Sequence, residues 1–462
     1  MKAFPAVLRT VFIGAALLTS FISALRADTK DDIQALREQI RQLDQKLRAL
    51  ELKQQAQDEQ AADAAKAAPK LSLTDKGFTF SSGDGANSIK LRGLVQLDSR
   101  LFFDDGGLVN NAFVLRRARL IAEGAFAKIY SFQMVTDFAG TGTPSILDAN
   151  LGVALDNALQ FKLGKFKSPV GLEWLQSDSW TFFNERSLVT NLVPGRDLGI
   201  LASGNILGDS VNYSAGVLNG VPDGATSNNT DFDNDKDVVG RVYATPFKNA
   251  GVPALQGLSV GVSSSLGREK TASGRASGYK TDGQQTFFSY ASTVVADGQS
   301  WRVSPQGEYR FGPFGLLGEY VLSTVNVRPG ATGTKAELQN KAWQFAAGYV
   351  LTGEDSSYNG VMPRTNFDPA AGTWGAFEIV GRYASLKIDD AAFPLFASAS
   401  TNADEATSMG LGLNWYLSKV VLLKFDYYQT KFDFAPIAPA VPAAVLLRQD
   451  EKALITRFQI SF

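Results

Sequence analysis

The stretch ALITRFQISF, Ala453 to Phe462, alternates strictly: Leu454, Thr456, Phe458, Ile460 and Phe462 fall on one face, and Ile455, Arg457, Gln459 and Ser461 on the other. Successive side chains of a β-strand point to opposite sides, so this period of two reports a strand with one apolar and one wetter face. A strand that finishes on an aromatic after apolar residues at every second place is how a membrane-spanning β-barrel closes, one face to lipid and one to a wet lumen. The edge strand of a soluble sandwich has the same pattern.

The N-terminus bears on that choice. Lys2 and Arg9, the apolar run Val11 to Leu18 extended by Phe21 and Ile22, and small residues at Ala24 and Ala27 form a secretory leader pattern. This predicts a signal peptide over 1–27, cleaved after Ala27 or Ala24, and an exported mature chain. The apolar run is too short for a membrane helix, and no later stretch of about eighteen apolar residues follows. The chain has no Cys, so neither disulfides nor thiol chemistry contribute. It also has no His. Without either residue the Ser-His-Asp and Cys-His nucleophile systems, the usual zinc sites and most general-base chemistry near neutral pH are closed off. No carboxylate spacing singles out a catalytic pair or a metal site, so the reading is a non-enzyme with no cofactor and no metal.

Charge is nearly balanced, 45 basic against 46 acidic residues, and losing Lys2, Arg9 and Arg26 with the leader leaves 42 against 46. No chain-wide attraction to nucleic acid is expected. Any ion preference must come from where Arg and Lys sit. The 43 Gly, 31 Phe and 13 Tyr in 462 residues suit many strands with aromatic girdles.

After the leader, Ile33, Leu36, Ile40, Leu43, Leu47 and Leu50 follow a 3-4-3-4-3 spacing. That is a heptad with Ile or Leu at a and Leu at d, and Arg37, Asp44, Lys46, Glu51 and Lys53 suit the flanking e and g positions. It predicts a short coiled-coil helix over 28–57, with one amphipathic helix lying on its own barrel as the alternative. The seam stops at Gln54 and Gln57, and the Ala-, Gln-, Asp- and Lys-rich stretch beyond reads as a periplasmic linker over 58–84.

From 85 to 462 the period of two persists. Ile89, Leu91, Val95, Leu97 and Leu101 alternate with Lys90, Arg92, Gln96, Asp98 and Arg100, while Val421, Leu423, Phe425 and Tyr427 oppose Lys424 and Asp426. About seventeen such segments of roughly ten residues suit a membrane barrel better than sandwiches, and bacterial single-chain barrels have even strand numbers. The expected fold is therefore all-β: a transmembrane antiparallel β-barrel of about sixteen strands, with eighteen the alternative, over 85–462. Either size leaves an aqueous channel.

In FVLRRARLIAEG, Phe113 to Gly124, Arg117, Arg119 and Glu123 share the face opposite Val114, Leu120 and Ala122, and Arg116 breaks the alternation. An Arg facing lipid at midplane costs roughly 2–4 kcal/mol, so a bulge or a rim position is required there. The preceding strand adds Lys90, Arg92 and Arg100 on its polar face. Guanidinium groups on a curved wall offer a partly dehydrated anion replacement hydrogen bonds without giving up a proton. Equally, Asp98, Glu123 and Asp137 can pair with these arginines and leave a near-neutral wall.

The most distinctive stretch is KLGKFKSPVGLEWLQSDSWTFFNERSLVTNLVPGRDLGI, Lys162 to Ile200. It starts as a strand, but the part over 168–197 is too long and too aromatic for a turn, and long structured loops carry function. Trp174, Trp180, Phe182 and Phe183 are expected to fold into the lumen and narrow it, with Lys165, Lys167, Arg186 and Arg196 at or near the constriction. The acidic loops 220–237 and 353–376 read as solvated surface rather than calcium or lipopolysaccharide-bridging sites.

From about residue 85 onward the chain resembles the phosphate- and polyphosphate-selective porins of the Gram-negative outer membrane. The resemblance is carried by Arg116-Arg117, GKFKSPVGLE at 164–173, NERS at 184–187, PGRDLGI at 194–200, YVLTGE at 349–354 and FEIVGRYA at 377–384. It implies passive diffusion of small ions and polar solutes, with a preference for anions of the phosphate and polyphosphate class. It also implies a homotrimer of 16-stranded barrels set in outer-membrane lipid and lipopolysaccharide, with inward-folded loops and an arginine ladder. Arg116 and Arg117 resemble ladder members, and Arg186 another pore-side arginine. The candidate pore-lining, anion-binding set is Arg92, Arg100, Arg116, Arg117, Arg119, Lys165, Lys167, Arg186 and Arg196. The sequence departs from the family between Lys167 and Arg186, where no basic residue occurs and Glu173, Asp178 and Glu185 stand. A general or cation-preferring porin and a structural outer-membrane tether are the alternative functions.

Overall fold

The structure, a computed structural model, describes residues 29–103, 109–140, 142–270, 278–435 and 450–462. The expected leader over 1–27 lies outside the described residues. Thr29–Ala67 forms one α-helix, α1, along which the seam residues Ile33, Leu36, Ile40, Leu43, Leu47 and Leu50 are all exposed. It runs past the expected boundary at 57 because 58–67 is mostly Ala, Gln, Glu and Lys, strong helix formers, and the first helix-breaking residue is Pro69. The rest of the expected linker is a hairpin, β1 (Lys70–Thr74) and β2 (Gly77–Ser81), in which Leu71 and Leu73 pair with Phe80 and Phe78. Gly77 closes its turn at φ 104°, a region glycine enters without a Cβ penalty.

Sixteen further strands among the described residues form the ring. They are β3 (Ser88–Phe103), β4 (Ala112–Phe126), β5 (Tyr130–Asp137), β6 (Ser145–Ala154), β7 (Gln160–Lys167), β8 (Arg196–Ile206), β9 (Val211–Leu218) and β10 (Asp237–Ala244). The circuit continues with β11 (Leu258–Lys270), β12 (Val294–Phe311), β13 (Phe314–Pro329), β14 (Ala336–Val350), β15 (Ala376–Lys387), β16 (Glu405–Tyr416), β17 (Val421–Asp433) and β18 (Asp450–Ser461). Each pairs antiparallel with the next, and β18 pairs back onto β3 from Ser461–Leu94 to Lys452–Phe103, closing the barrel. Because β2 also pairs with the start of β3, the sheet holds 18 strands while 16 form the ring. Phe462 completes the seam: its N–H donates to the Gly93 carbonyl at 3.1 Å and its carbonyl accepts from Gly93 N–H at 2.9 Å. Its ring fills the space a Cβ at position 93 would need.

The two faces differ as the alternation requires. On β18, Phe458 is 40% exposed outside the barrel, whereas Arg457 and Gln459 are each 1% exposed within it. The alternation breaks at Arg116 for a structural reason. The β3–β4 register passes from Gln96–Arg117 to Leu97–Leu115, so Arg116 is the extra residue of a bulge and can join Arg117 on the lumen side.

Wall height varies around the ring: β5, β7, β9 and β10 have 8 residues each, whereas β12, β13 and β14 have 18, 16 and 15. Tight turns at 312–313 and 417–420 mark one end, and the long loops 168–195, 219–236 and 388–404 the other. The lumen is not uniformly wet. Val170, Leu188, Val189 and Leu192 of loop 168–195 form a buried cluster with Phe287 and Phe288, Phe393 and Phe396, and inward-facing Val321, Val325, Leu338, Ala342 and Leu386. This cluster fills the side under β13–β15 and leaves the open space along β4–β10.

A charged neck in the lumen

Loop 168–195 crosses the lumen because polar groups on both sides hold its backbone. On β13, Glu319 accepts the N–H groups of Leu172 and Glu173 at 2.7 and 3.3 Å, seating the single helical turn Leu172–Leu175. Arg382 of β15 donates to the Glu185 carbonyl at 3.0 Å and pairs with Glu173 at 3.3 Å. On the far side Asn184 donates to the Ile455 carbonyl at 2.8 Å, and Arg457 and Lys424 donate to loop carbonyls. From the turn end the connection 351–375 meets the same loop: Tyr358 donates its hydroxyl proton to the Leu172 carbonyl at 2.7 Å. Phe182 and Phe183 are buried beneath Arg310 and Arg382, whose guanidinium groups lie 4.7 and 4.4 Å from the ring centres.

Two loop carboxylates gather the wall arginines. Glu185 takes Arg116 through two hydrogen bonds of 2.6 and 2.9 Å, with Arg457 at 3.0 Å and Arg100 at 3.2 Å. Asp178 takes Arg186 at 2.5 Å, Arg117 at 3.2 Å and Arg119. Burial alone would raise both carboxyls. Arg117, Arg186 and Arg119 outweigh it at Asp178, as Arg116 and Arg457 do at Glu185, and hold both well below the usual carboxylate range. Trp174 serves as a platform beside them, with Arg186, Lys167 and Arg196 lying 5.0, 5.2 and 5.6 Å from its ring centre.

Two cavities lie in the lumen among the described residues. One of about 330 Å³, toward the long loops, is lined by Arg116, Arg117, Arg186 and Lys280 among others; one of about 480 Å³, toward the turns, by Arg92, Lys162, Lys167 and Arg241 among others. Arg119, Asp178 and Arg196 line both and so mark the neck between them. Six basic residues face three carboxylates around the first cavity (Asp178, Glu185 and Asp223), and six face two around the second (Asp148 and Asp178).

Seven of the nine residues singled out in the sequence therefore reach the open space. Arg100 lines neither cavity; it is taken up by Asp98 and Glu185. Lys165 also lines neither, its ammonium donating to the Ile146 and Ser227 carbonyls and to Asn229 Oδ1 at 2.7–3.0 Å. The counter-charges weighed in the sequence engage: Glu123 holds Arg92 at 2.8 Å, Asp137 holds Arg119 at 2.8 Å, and Asp98 holds Arg457 at 2.6 Å. Lys162, Arg241 and Lys280 line the cavities without having been singled out. Among the described residues Lys162 and Arg241 form no ion pair: Lys162 lies over Phe166, and Arg241 bonds only to neutral Gln306 and Asn212. For Lys162 the signal was present, since it precedes Lys165 and Lys167 in one strand. Arg241 is a lone cation in VVGRVYA with nothing nearby in sequence to mark it.

A closed ring of two-faced strands around a charged, loop-narrowed lumen defines an outer-membrane channel protein. The family described as phosphate-selective porin O and P matches residues 89–462, and the chain belongs to it. Porin O of Pseudomonas aeruginosa is 25% identical over 394 residues, covering 79% of this chain and 85% of that one. Among solved structures, the outer membrane channel DcaP of Acinetobacter baumannii aligns with a TM-score of 0.52 at 12% identity, covering 83% of this chain and 99% of that one. In-vitro folded OmpT of Vibrio cholerae aligns at 0.50 and 13%, covering 82% and 98%. At these identities the structural likenesses concern the fold.

Proposed function

We propose that the channel passes small anions down their gradient, phosphate and its relatives included, through the neck at Arg119, Asp178 and Arg196. The supporting observation is the excess of basic over acidic residues lining both cavities, which concentrates anions in a confined lumen. The family description points to the phosphate class. The loop carboxylates that absorb part of the arginine charge argue for broad anion preference over strict phosphate selection. Reversal potential across a planar bilayer under a potassium chloride gradient tests this: the potential of an anion-preferring pore is expected, and one favouring potassium overturns the reading.

The assembly proposed is a homotrimer in the Gram-negative outer membrane, exported by the leader, with α1 in the periplasm. Strands of 8 residues span roughly 26 Å along their length and about 19 Å along the membrane normal at a tilt near 45°, less than the ~25 Å apolar band of such barrels. A neighbouring copy against that low wall would cover the deficit. The exposed seam of α1 is available for helix association, but Ile at a with Leu at d favours two strands in isolation, so the barrels would set the number.

A further inference from the structure

On a membrane barrel apolar side chains point outward to lipid and polar ones into the lumen. The cavity toward the turns departs from this. Leu94, Ile121, Val135, Phe166 and Leu201 face it from β3, β4, β5, β7 and β8, and all but Ile121 are only 3–8% exposed, sheltered from bulk water. Under β13–β15 the inward apolar residues have the loop cluster packed on them. Among the described residues Leu94, Ile121 and Val135 belong to no such cluster. Around the loop-side cavity, again among the described residues, the apolar lining is confined to Trp174, Tyr279 and Ala225.

Cations stand beside this apolar wall. Lys162 lies directly opposite Leu201 in the β7–β8 register, its ammonium 5.8 Å from the ring centre of Phe166. Arg92 lies opposite Ile121, which is in turn opposite Val135. Both carboxylates lining the cavity are engaged, Asp148 by Arg196 at 3.0 Å and Asp178 by Arg117 at 3.2 Å, whereas among the described residues Lys162 and Arg241 form no ion pair. A bare phosphate would meet the cations and leave the apolar wall uncovered. At about 480 Å³ the cavity has the size of a site for a small organic molecule. We infer that it binds organic anions in which a phosphate is joined to a compact apolar group, with Lys162 and Arg241 supplying the uncommitted positive charge and Ile121, Val135 and Leu201 the apolar contact. This rests on the anion reading above and names the class of solute that it favours.

Because Arg119, Asp178 and Arg196 line both this cavity and the neck, a bound anion obstructs the current. The test places the full-length protein in planar bilayers and reads the concentration that halves the chloride current, with phenyl phosphate, inorganic phosphate and phenol as probes at about pH 8, where both phosphates are chiefly dianions. Phenyl phosphate is expected to block at a roughly tenfold lower concentration than inorganic phosphate, a gain that ~55 Å² of apolar surface removed from water supplies. Phenol, uncharged there, is expected not to block. Ile121→Ser should shrink the tenfold difference to about twofold as the apolar contact is lost, and Lys162→Gln should weaken both phosphates together and keep their ratio. Equal half-block by the two phosphates in the wild type overturns the inference, as does block by phenol at the concentration where phenyl phosphate acts. The anion reading fails separately, through a reversal potential that favours potassium. Should Ile121→Ser not fold, Val135→Thr, of nearly the same shape, carries the test: an undiminished preference for phenyl phosphate in that variant overturns the proposed apolar contact.

Discussion

At Asp178 three guanidinium groups converge on one carboxylate, so its charge governs how much positive field the neck presents to a passing ion. Asp178→Asn keeps the shape and removes the charge. An ion about 4 Å away feels roughly 1 kcal/mol from a unit charge in water, about fivefold in favour of an anion and about fivefold against a cation, so the anion-to-cation permeability ratio from reversal potentials should rise by up to about 25-fold; no change would remove Asp178 from the neck. Wild-type selectivity should stay level between about pH 7 and pH 5, because a carboxyl held below its ordinary value near 4 remains ionised there. In the sequence the acidic residues between Lys167 and Arg186 look like an interruption of the basic lining. In the fold Glu173, Asp178 and Glu185 are counter-ions that tie wall arginines to the loop. The residue types were legible, but the pairing was not, since Arg457 and Glu185 meet across 272 positions.

Among the elements, loop 168–195 depends most on single attachments. Glu319→Ala removes the acceptor for the Leu172 and Glu173 amides, leaving buried N–H groups unsatisfied at roughly 1–3 kcal/mol each. Single-channel recordings of that variant should show larger, noisier conductance, while an unchanged barrel band on semi-native gels confirms the wall; quiet, wild-type traces would show that the loop is held elsewhere. Strands with one polar face, such as β3 and β18, were readable from alternation, and of the bulge or rim position that the break at Arg116 demanded, the fold has the bulge. β13–β15 were harder to read, because Val321, Leu338 and Leu386 turn apolar side chains inward against the loop cluster, so both faces are greasy. The hairpin β1–β2 hid in residues whose composition reads as linker.

For the whole molecule, the seam between β3 and β18 decides whether the ring exists. Removing Phe462 deletes two backbone hydrogen bonds to Gly93, about 2 kcal/mol at ~1 kcal/mol each, and should lower by several degrees the temperature at which the barrel opens in detergent gels. An unchanged opening temperature would place the weak point of the ring at another strand pair.

The seam has a kinetic consequence. Gln96 and Gln459 bond at 2.6 Å across 363 positions, so every partly built sheet carries two bare edges, and the contact that removes them is among the most distant in the sequence. Closure is correspondingly slow to arrive at, and it is equally hard to reverse: a ring has no frayed end from which unzipping can start. Its lifetime in the membrane is then set by how often one strand pair parts along its whole length, a rate rather than an equilibrium.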